Sequence, residues 1–364
     1  MSLDDLVPAW IRTLAPYSPG MPIEELERQL GIRDSIKLAS NENPLGPSPK
    51  ALAAIAAALG ELHRYPDGSA YHLKNRLAER LGISPAELVV GNGSNEIIEL
   101  VVRTVLRPGD EAVMADQAFV VYRLVVQAAG GTSRIVPLRD FTHDLDAIAA
   151  AVGPRTRLVF LANPNNPTGT IFRRAAWDRF LARMRPHVVV VADDAYAEYV
   201  EDPEYPDTIR ARGDGAVAVV TLRTFSKLYG LAGLRIGYGV GPAALVDAMM
   251  RIRQPFNVNT LALVGALAAL DDAEHVRRTL AANREGMAYL VAAFRRLGLE
   301  HVASAANFVL VRVGDGARVY DALLRRGVIV RPMEGYGFPA HVRITVGTPA
   351  ENARLADALA AVLG

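Results

Sequence analysis

The chain has 364 residues, 51% of them hydrophobic, with 40 Lys and Arg against 39 Asp and Glu for a formal net charge of +1; this is enough apolar chain for a large core in two domains, and the balance offers no basic footprint for nucleic acid. There is no cysteine, which excludes disulfides and thiolate metal sites. No apolar run reaches the roughly 18 residues of a membrane span, and the acidic start Met1-Ser2-Leu3-Asp4-Asp5 is unlike the basic start of a signal peptide, so a cytoplasmic location is expected.

In chain order, the alanine-rich stretch 51–59 reads as a packed helix. Short apolar runs then alternate with helical patterns. Strands are expected near 88–90, 112–115, 157–161, 188–192, 216–222 and 235–240, with helical spacing over 97–106, 145–152 and 177–184. Such alternation argues an α/β fold with a mostly parallel sheet covered by helices. After this the character changes: 279–297 is a long amphipathic pattern, and short runs follow at 308–313, 328–330 and 342–346. Those suit a small α+β domain.

Four of the expected strands end in segments that carry chemistry, at the edge where open α/β sheets place ligands. After 88–90 comes Gly91-Asn92-Gly93-Ser94-Asn95-Glu96, whose glycines let backbone amides and a helix N-terminus face a phosphate. With Asp116 it also approximates a dinucleotide fingerprint, but the third glycine position holds Glu96, a bulky acid where close approach is required. After 157–161 comes Asn163-Pro164-Asn165-Asn166-Pro167-Thr168-Gly169; beyond forming a turn, an asparagine held between prolines can donate its amide to a ring oxygen. After 188–192 comes Asp193-Asp194-Ala195-Tyr196. A carboxylate leaving so apolar a strand is a natural partner for a protonated pyridine nitrogen.

The fourth segment is Thr224-Phe225-Ser226-Lys227-Leu228-Tyr229-Gly230-Leu231-Ala232-Gly233-Leu234-Arg235. A lysine attacks an aldehyde only when its amine is deprotonated, and burial beside positive charge lowers its pKa toward that state. Arg235 can supply that charge while gripping a phosphate, and Thr224 and Ser226 are short hydroxyl donors for further phosphate oxygens. Together the four segments read as a site for pyridoxal phosphate anchored on Lys227. Other chemistries find no support: the seven histidines include no pair at short zinc-ligand spacing, so no metal is expected, and no Gly-x-Ser-x-Gly elbow occurs. Gly237-Tyr238-Gly239-Val240-Gly241 reads as close backbone packing in a strand.

These segments resemble the fold-type-I aminotransferases, and more narrowly the histidinol-phosphate aminotransferase family. The likeness runs from Leu14-Ala15-Pro16-Tyr17-Ser18-Pro19-Gly20 through Leu38-Ala39-Ser40-Asn41-Glu42-Asn43-Pro44 and Arg64-Tyr65-Pro66-Asp67-Gly68 to Val342-Arg343-Ile344-Thr345-Val346-Gly347-Thr348. It implies a large domain over residues 46–250 and a small one built from 1–45 and 251–364. Lys227 would carry the Schiff base, Asp193 would pair with the pyridine nitrogen, and Asn166 and Tyr196 would bind the ring hydroxyl. Phe119 matches the aromatic that stacks on the ring. The phosphate cup would be the amides of Ser94 and Asn95, the hydroxyls of Thr224 and Ser226, and Arg235, with Tyr65 reaching into a neighbouring subunit's cup in a homodimer. Arg343, assisted by Arg331, would take anionic substrate groups, with Asn43, Tyr17 and Asn307 as further substrate contacts. The substrate pair implied is L-histidinol phosphate with 2-oxoglutarate, giving imidazole acetol phosphate and glutamate. Aromatic amino acid transamination and threonine-phosphate decarboxylation share most of the same segments and stay open.

Overall fold

A computed structural model describes residues 6–17, 19–212 and 217–364. The acidic start 1–5, Ser18 of the first family segment and Ala216 at the head of one expected strand lie outside the described residues.

Among the described residues, seven strands form the main sheet: β2 (Leu88–Gly91), β3 (Glu111–Ala115), β4 (Thr132–Val136), β5 (Thr156–Ala162), β6 (Val189–Asp193), β7 (Ala218–Thr224) and β8 (Gly237–Val240), in the order β2-β8-β7-β6-β5-β3-β4. The pairs along β4, β3, β5, β6 and β7 are parallel, while β8 runs antiparallel to both β7 and β2. The central strands are buried along most of their length because helices cover both faces. Alternation along the strands divides the burden. Val113, Val159 and Val190 pack on one side with Trp177 and Phe180, whereas Met114, Phe160 and Val191 pack on the other with Ile97 and Tyr122.

The expected strands are all present, with shifted ends that have local causes. The last begins at Gly237 rather than 235, since Arg235 has φ 56°, a left-handed conformation that no strand accommodates. β4 went unanticipated: it is an edge strand in which only Val136 is buried, so it lacks the apolar signature of its neighbours. The long helix begins at Ala273, ahead of the expected 279, where the Asp272 side chain accepts from the His275 N–H at 3.2 Å.

The smaller sheets are β11 (Arg331–Pro332), β12 (His341–Thr345) and β9 (Phe308–Arg312), antiparallel in that order, and β1 (Ile36–Lys37) parallel to β10 (Val328–Ile329). Their cores gather Leu38, Phe294, Val311, Val330 and Ile344 in one cluster and Leu26, Ala39 and Ile329 in another. Thr260–Leu270 instead packs through Ala262 and Ala266 into the cluster of Leu73 and Phe225, beneath the main sheet. Two strand registers bring the chemistry-bearing residues together. Ala162, Asp193 and Leu222 lie side by side, so the turns after β5, β6 and β7 leave one edge together. Arg331 is opposite Arg343 on the neighbouring sheet.

Candidate active site

Those turns floor a cleft of about 400 Å³, whose opposite wall is supplied by residues 39–42 and by β11 and β12. Lys227 projects into it. Its Nζ donates to the Ser40 carbonyl at 3.0 Å and stands 5.7 Å from the centre of the Tyr196 ring. Burial lowers its pKa to about 8, helped by the charge of Arg343 and then of Arg235, and opposed by Glu42 and Asp193. A fraction of such amines is neutral near pH 7, as nucleophilic attack requires. Arg235 does contribute the expected charge, but Arg343, over a hundred residues further on, contributes more.

Asp193 ends β6 at 6% exposure, and burial raises its pKa. Its Oδ2 accepts the Tyr122 hydroxyl at 2.6 Å, and its Oδ1 accepts the Ala195 N–H at 3.3 Å. Tyr122 is fully buried, with its ring stacked on Phe160 at 4.8 Å. The next carboxylate faces the other way. Asp194 accepts the hydroxyls of Thr208 at 2.6 Å and Tyr205 at 3.2 Å, lies 3.5 Å from Arg223, and is absent from the cleft wall. Burial pushes its pKa up to about 7.

At one end the cleft is lined by Ser94, Asn95, Thr224, Ser226 and Arg235. Two glycines permit this closeness: a Cβ on Gly237 would sit 2.7 Å from the Ser94 nitrogen, and one on Gly93 would sit 2.7 Å from Arg235 Nη2. The result is a helix N-terminus with an arginine pressed against it, a ready anion site. Glu96 is occupied in capping, accepting the Asn92 N–H at 2.6 Å and the Asn257 amide at 2.7 Å. Four strands separate β2 from β3 in the sheet, so the adjacent strand-helix-strand unit of a dinucleotide site is not formed.

On the wall, the Arg343 guanidinium is 6% exposed. It donates to Asn166 Oδ1 and, at 2.7 Å, to the Ala39 carbonyl, and its centre lies 5.2 Å from the centre of the Phe308 ring. Among the described residues its buried Nε has no hydrogen-bond partner. Burial lowers its pKa, with Tyr196, Tyr336, Arg331 and Tyr17 also acting on it. Arg331 lies 5.8 Å from the centre of the Tyr17 ring. A buried cation in the state of Arg343 suits an anionic ligand. The cleft thus offers a lysine amine, a buried carboxylate, an anion cup and an orphaned guanidinium nitrogen. That donor set fits a phosphorylated pyridine aldehyde and an anionic substrate beside it.

The profile of the aminotransferase class I and II family matches residues 33–359. Histidinol-phosphate aminotransferase 1 of Nitrosococcus oceani is 50% identical over 98% of this chain and 97% of its own length; histidinol-phosphate aminotransferase of Moorella thermoacetica is 48% identical over 97% and 92%. The chain belongs to the histidinol-phosphate aminotransferase family. Among solved structures, histidinol-phosphate aminotransferase from Sinorhizobium meliloti in complex with pyridoxal-5'-phosphate superposes with a TM-score of 0.90 at 31% identity, over 98% of this chain and 97% of that one.

For this member of the family, the cleft wall includes Lys227, Asp193, Tyr196, Asn166, Phe119, Arg331 and Tyr17 along with the cup and Arg343. Three expected residues stand apart. Asn43 donates its amide to the Leu228 carbonyl at 2.8 Å and to Thr279 Oγ1 at 3.1 Å, and Asn307 donates to the Asn41 carbonyl at 3.0 Å. Neither lines the cleft; both amides brace the chain around it. Tyr65 is 83% exposed and stacks on Phe256 at 4.8 Å, away from its own chain's cleft. Sequence reasoning gave no role to Tyr122, Asn41 or Tyr336. For Tyr122 a signal existed, since a tyrosine in a buried helix needs a partner for its hydroxyl, but nothing local named Asp193.

Proposed function

We propose that this chain is a cytoplasmic, homodimeric, pyridoxal-phosphate-dependent transaminase that passes the amino group of L-histidinol phosphate to 2-oxoglutarate, yielding imidazole acetol phosphate and L-glutamate. The observation that carries the reading is Lys227, half-buried with its pKa lowered to about 8 in one cleft with Asp193, the anion cup and Arg343. The choice of substrates rests on the names of the relatives at 50% and 48% identity. Pyridoxal phosphate, when bound, supplies an aldehyde for the amino group and an electron-withdrawing ring for the charge left at the substrate's α-carbon.

The protein's own residues supply the rest. The amine of Lys227 would tether the cofactor and, when free, would take the proton from the substrate α-carbon as general base and deliver it as acid to the carbon that had been the cofactor's aldehyde. Asp193, steadied by Tyr122, keeps a proton on the pyridine nitrogen. Asn166 and Tyr196 hold the ring hydroxyl, and Phe119 packs against the ring. Ser94, Asn95, Thr224, Ser226 and Arg235 hold the phosphate, joined by Tyr65 of the second subunit, whose exposure here supports that assignment. Arg343 and Arg331 receive the anionic groups of both substrates in turn, with Tyr17 at the rim. We take residues 46–250, with Thr260–Leu270 packed onto them, as the larger unit and 1–45 with the remainder of 251–364 as the smaller.

Absorption spectra of the pyridoxal-phosphate-loaded protein test this. Bleaching of the visible band by L-histidinol phosphate, restored by 2-oxoglutarate, is expected. A response to L-phenylalanine alone would reassign the substrate, and carbon dioxide release without keto-acid dependence would replace transamination by decarboxylation.

A further inference from the structure

Asn41 is buried at 1% exposure with φ 55°, a conformation that asparagine tolerates better than most residues. Its backbone N–H donates to Thr345 Oγ1 at 2.9 Å, and the Thr345 hydroxyl donates in return to Asn41 Oδ1 at 3.1 Å. That reciprocal pair orients the amide: the oxygen faces β12 and the NH2 faces the cleft. There Nδ2 donates to the Tyr196 hydroxyl oxygen at 2.8 Å. An amide NH2 can only donate, so the phenol oxygen must accept, and its own hydrogen is left to point elsewhere. Asn307 completes the brace by donating to the Asn41 carbonyl at 3.0 Å.

We propose that Asn41 is a positioning residue that turns the Tyr196 hydroxyl into a donor aimed into the cleft, and that Thr345 sets Asn41 for that task. This rests on the transaminase reading, in which Tyr196 meets the cofactor's ring oxygen. Thr345 and Arg343 are two residues apart on β12 and so share a face of the strand, which ties the aim of the phenol to the strand carrying the substrate-side arginine. The other charged and titratable groups acting on Tyr196 include Arg343, Asp193, Tyr336, Lys227, Tyr122 and Tyr199.

A donor on the ring oxygen withdraws negative charge that would otherwise retain the proton beside it. Loss of the donor therefore raises the pH at which the bound cofactor's visible band titrates. In the loaded enzyme, Asn41→Gly, which keeps a residue at ease with positive φ, is expected to raise that midpoint by roughly half to one pH unit, the worth of one hydrogen bond. Thr345→Val should move it the same way by less, and this variant serves if the first does not fold. Tyr196→Phe should raise the midpoint too, with Asn41→Gly adding nothing on that background. An unchanged midpoint in both single variants, or an undiminished effect of Asn41→Gly without the phenol, would overturn the role of Asn41. Absence of a visible band in the loaded wild-type protein would be a different failure, that of the transaminase reading itself.

Discussion

At the end of β6, on the floor of the cleft, the buried acid meets partners within the protein: Asp193 has the Tyr122 hydroxyl and the Ala195 N–H. Across from it, on β12, Arg343 meets an asparagine, a backbone carbonyl and an aromatic ring, and among the described residues its Nε meets nothing. The floor's carboxylate already has its donors, so that side suits a group that stays bound through the reaction. The wall holds donor capacity in reserve for anions that come and go, since a buried cation gains most from a charged acceptor.

The comparison can be broken most directly at the floor. Lys227→Ala should lower steady-state transamination by on the order of 10⁴-fold while leaving some cofactor bound; undiminished turnover would end the mechanism. At the wall, Arg343→Ala should reduce kcat/KM for 2-oxoglutarate by about 10²- to 10³-fold with little change in cofactor affinity measured by spectral titration. An equal loss of both would erase the distinction between the two sides. Tyr122→Phe sharpens it from the other direction. Asp193 loses its strongest donor, so cofactor affinity should fall about tenfold while KM for the keto acid is nearly unmoved.

The smallest effect concerns stability. The folded pKa of Lys227, about 8, lies below the roughly 10.4 of an unfolded lysine, so folding disfavours the charged amine. That penalty is complete below pH 8 and disappears as the pH climbs from 8 toward 10.4. Cofactor-free Lys227→Met should accordingly exceed the wild type at pH 7 by about 1–2 kcal/mol, less than full desolvation because water penetrates real interiors, and the gap should close by about pH 10. Denaturant titrations at the two pH values measure it.

The floor was also the more legible side in the sequence. Asn166, Asp193 and Lys227 each follow an apolar run within a few residues, so local pattern and strand-end chemistry point to them. The wall depends on contacts between distant parts of the chain. Asn43 and Asn307 carry amides fit for a substrate, yet Leu228, Thr279 and Asn41 claim them. Tyr122 and Asn41 gain their roles from partners 71 and 155 residues away, a separation that no spacing rule spans. In the fold, strands buried on both faces stood out, while β4, polar and at the edge, carried too little apolar signal to be found.

The pairing of β1 with β10, Ile36 opposite Val328, has a consequence for how the molecule is made. A ribosome adding about 5–20 residues per second takes roughly 15–60 s to travel from one strand to the other. For that interval the nascent N-terminal segment has no template, while the strands of the main sheet, complete by Val240, are already in the chain. Biogenesis therefore closes the wall last, and the cleft comes into being only after β12 has been made.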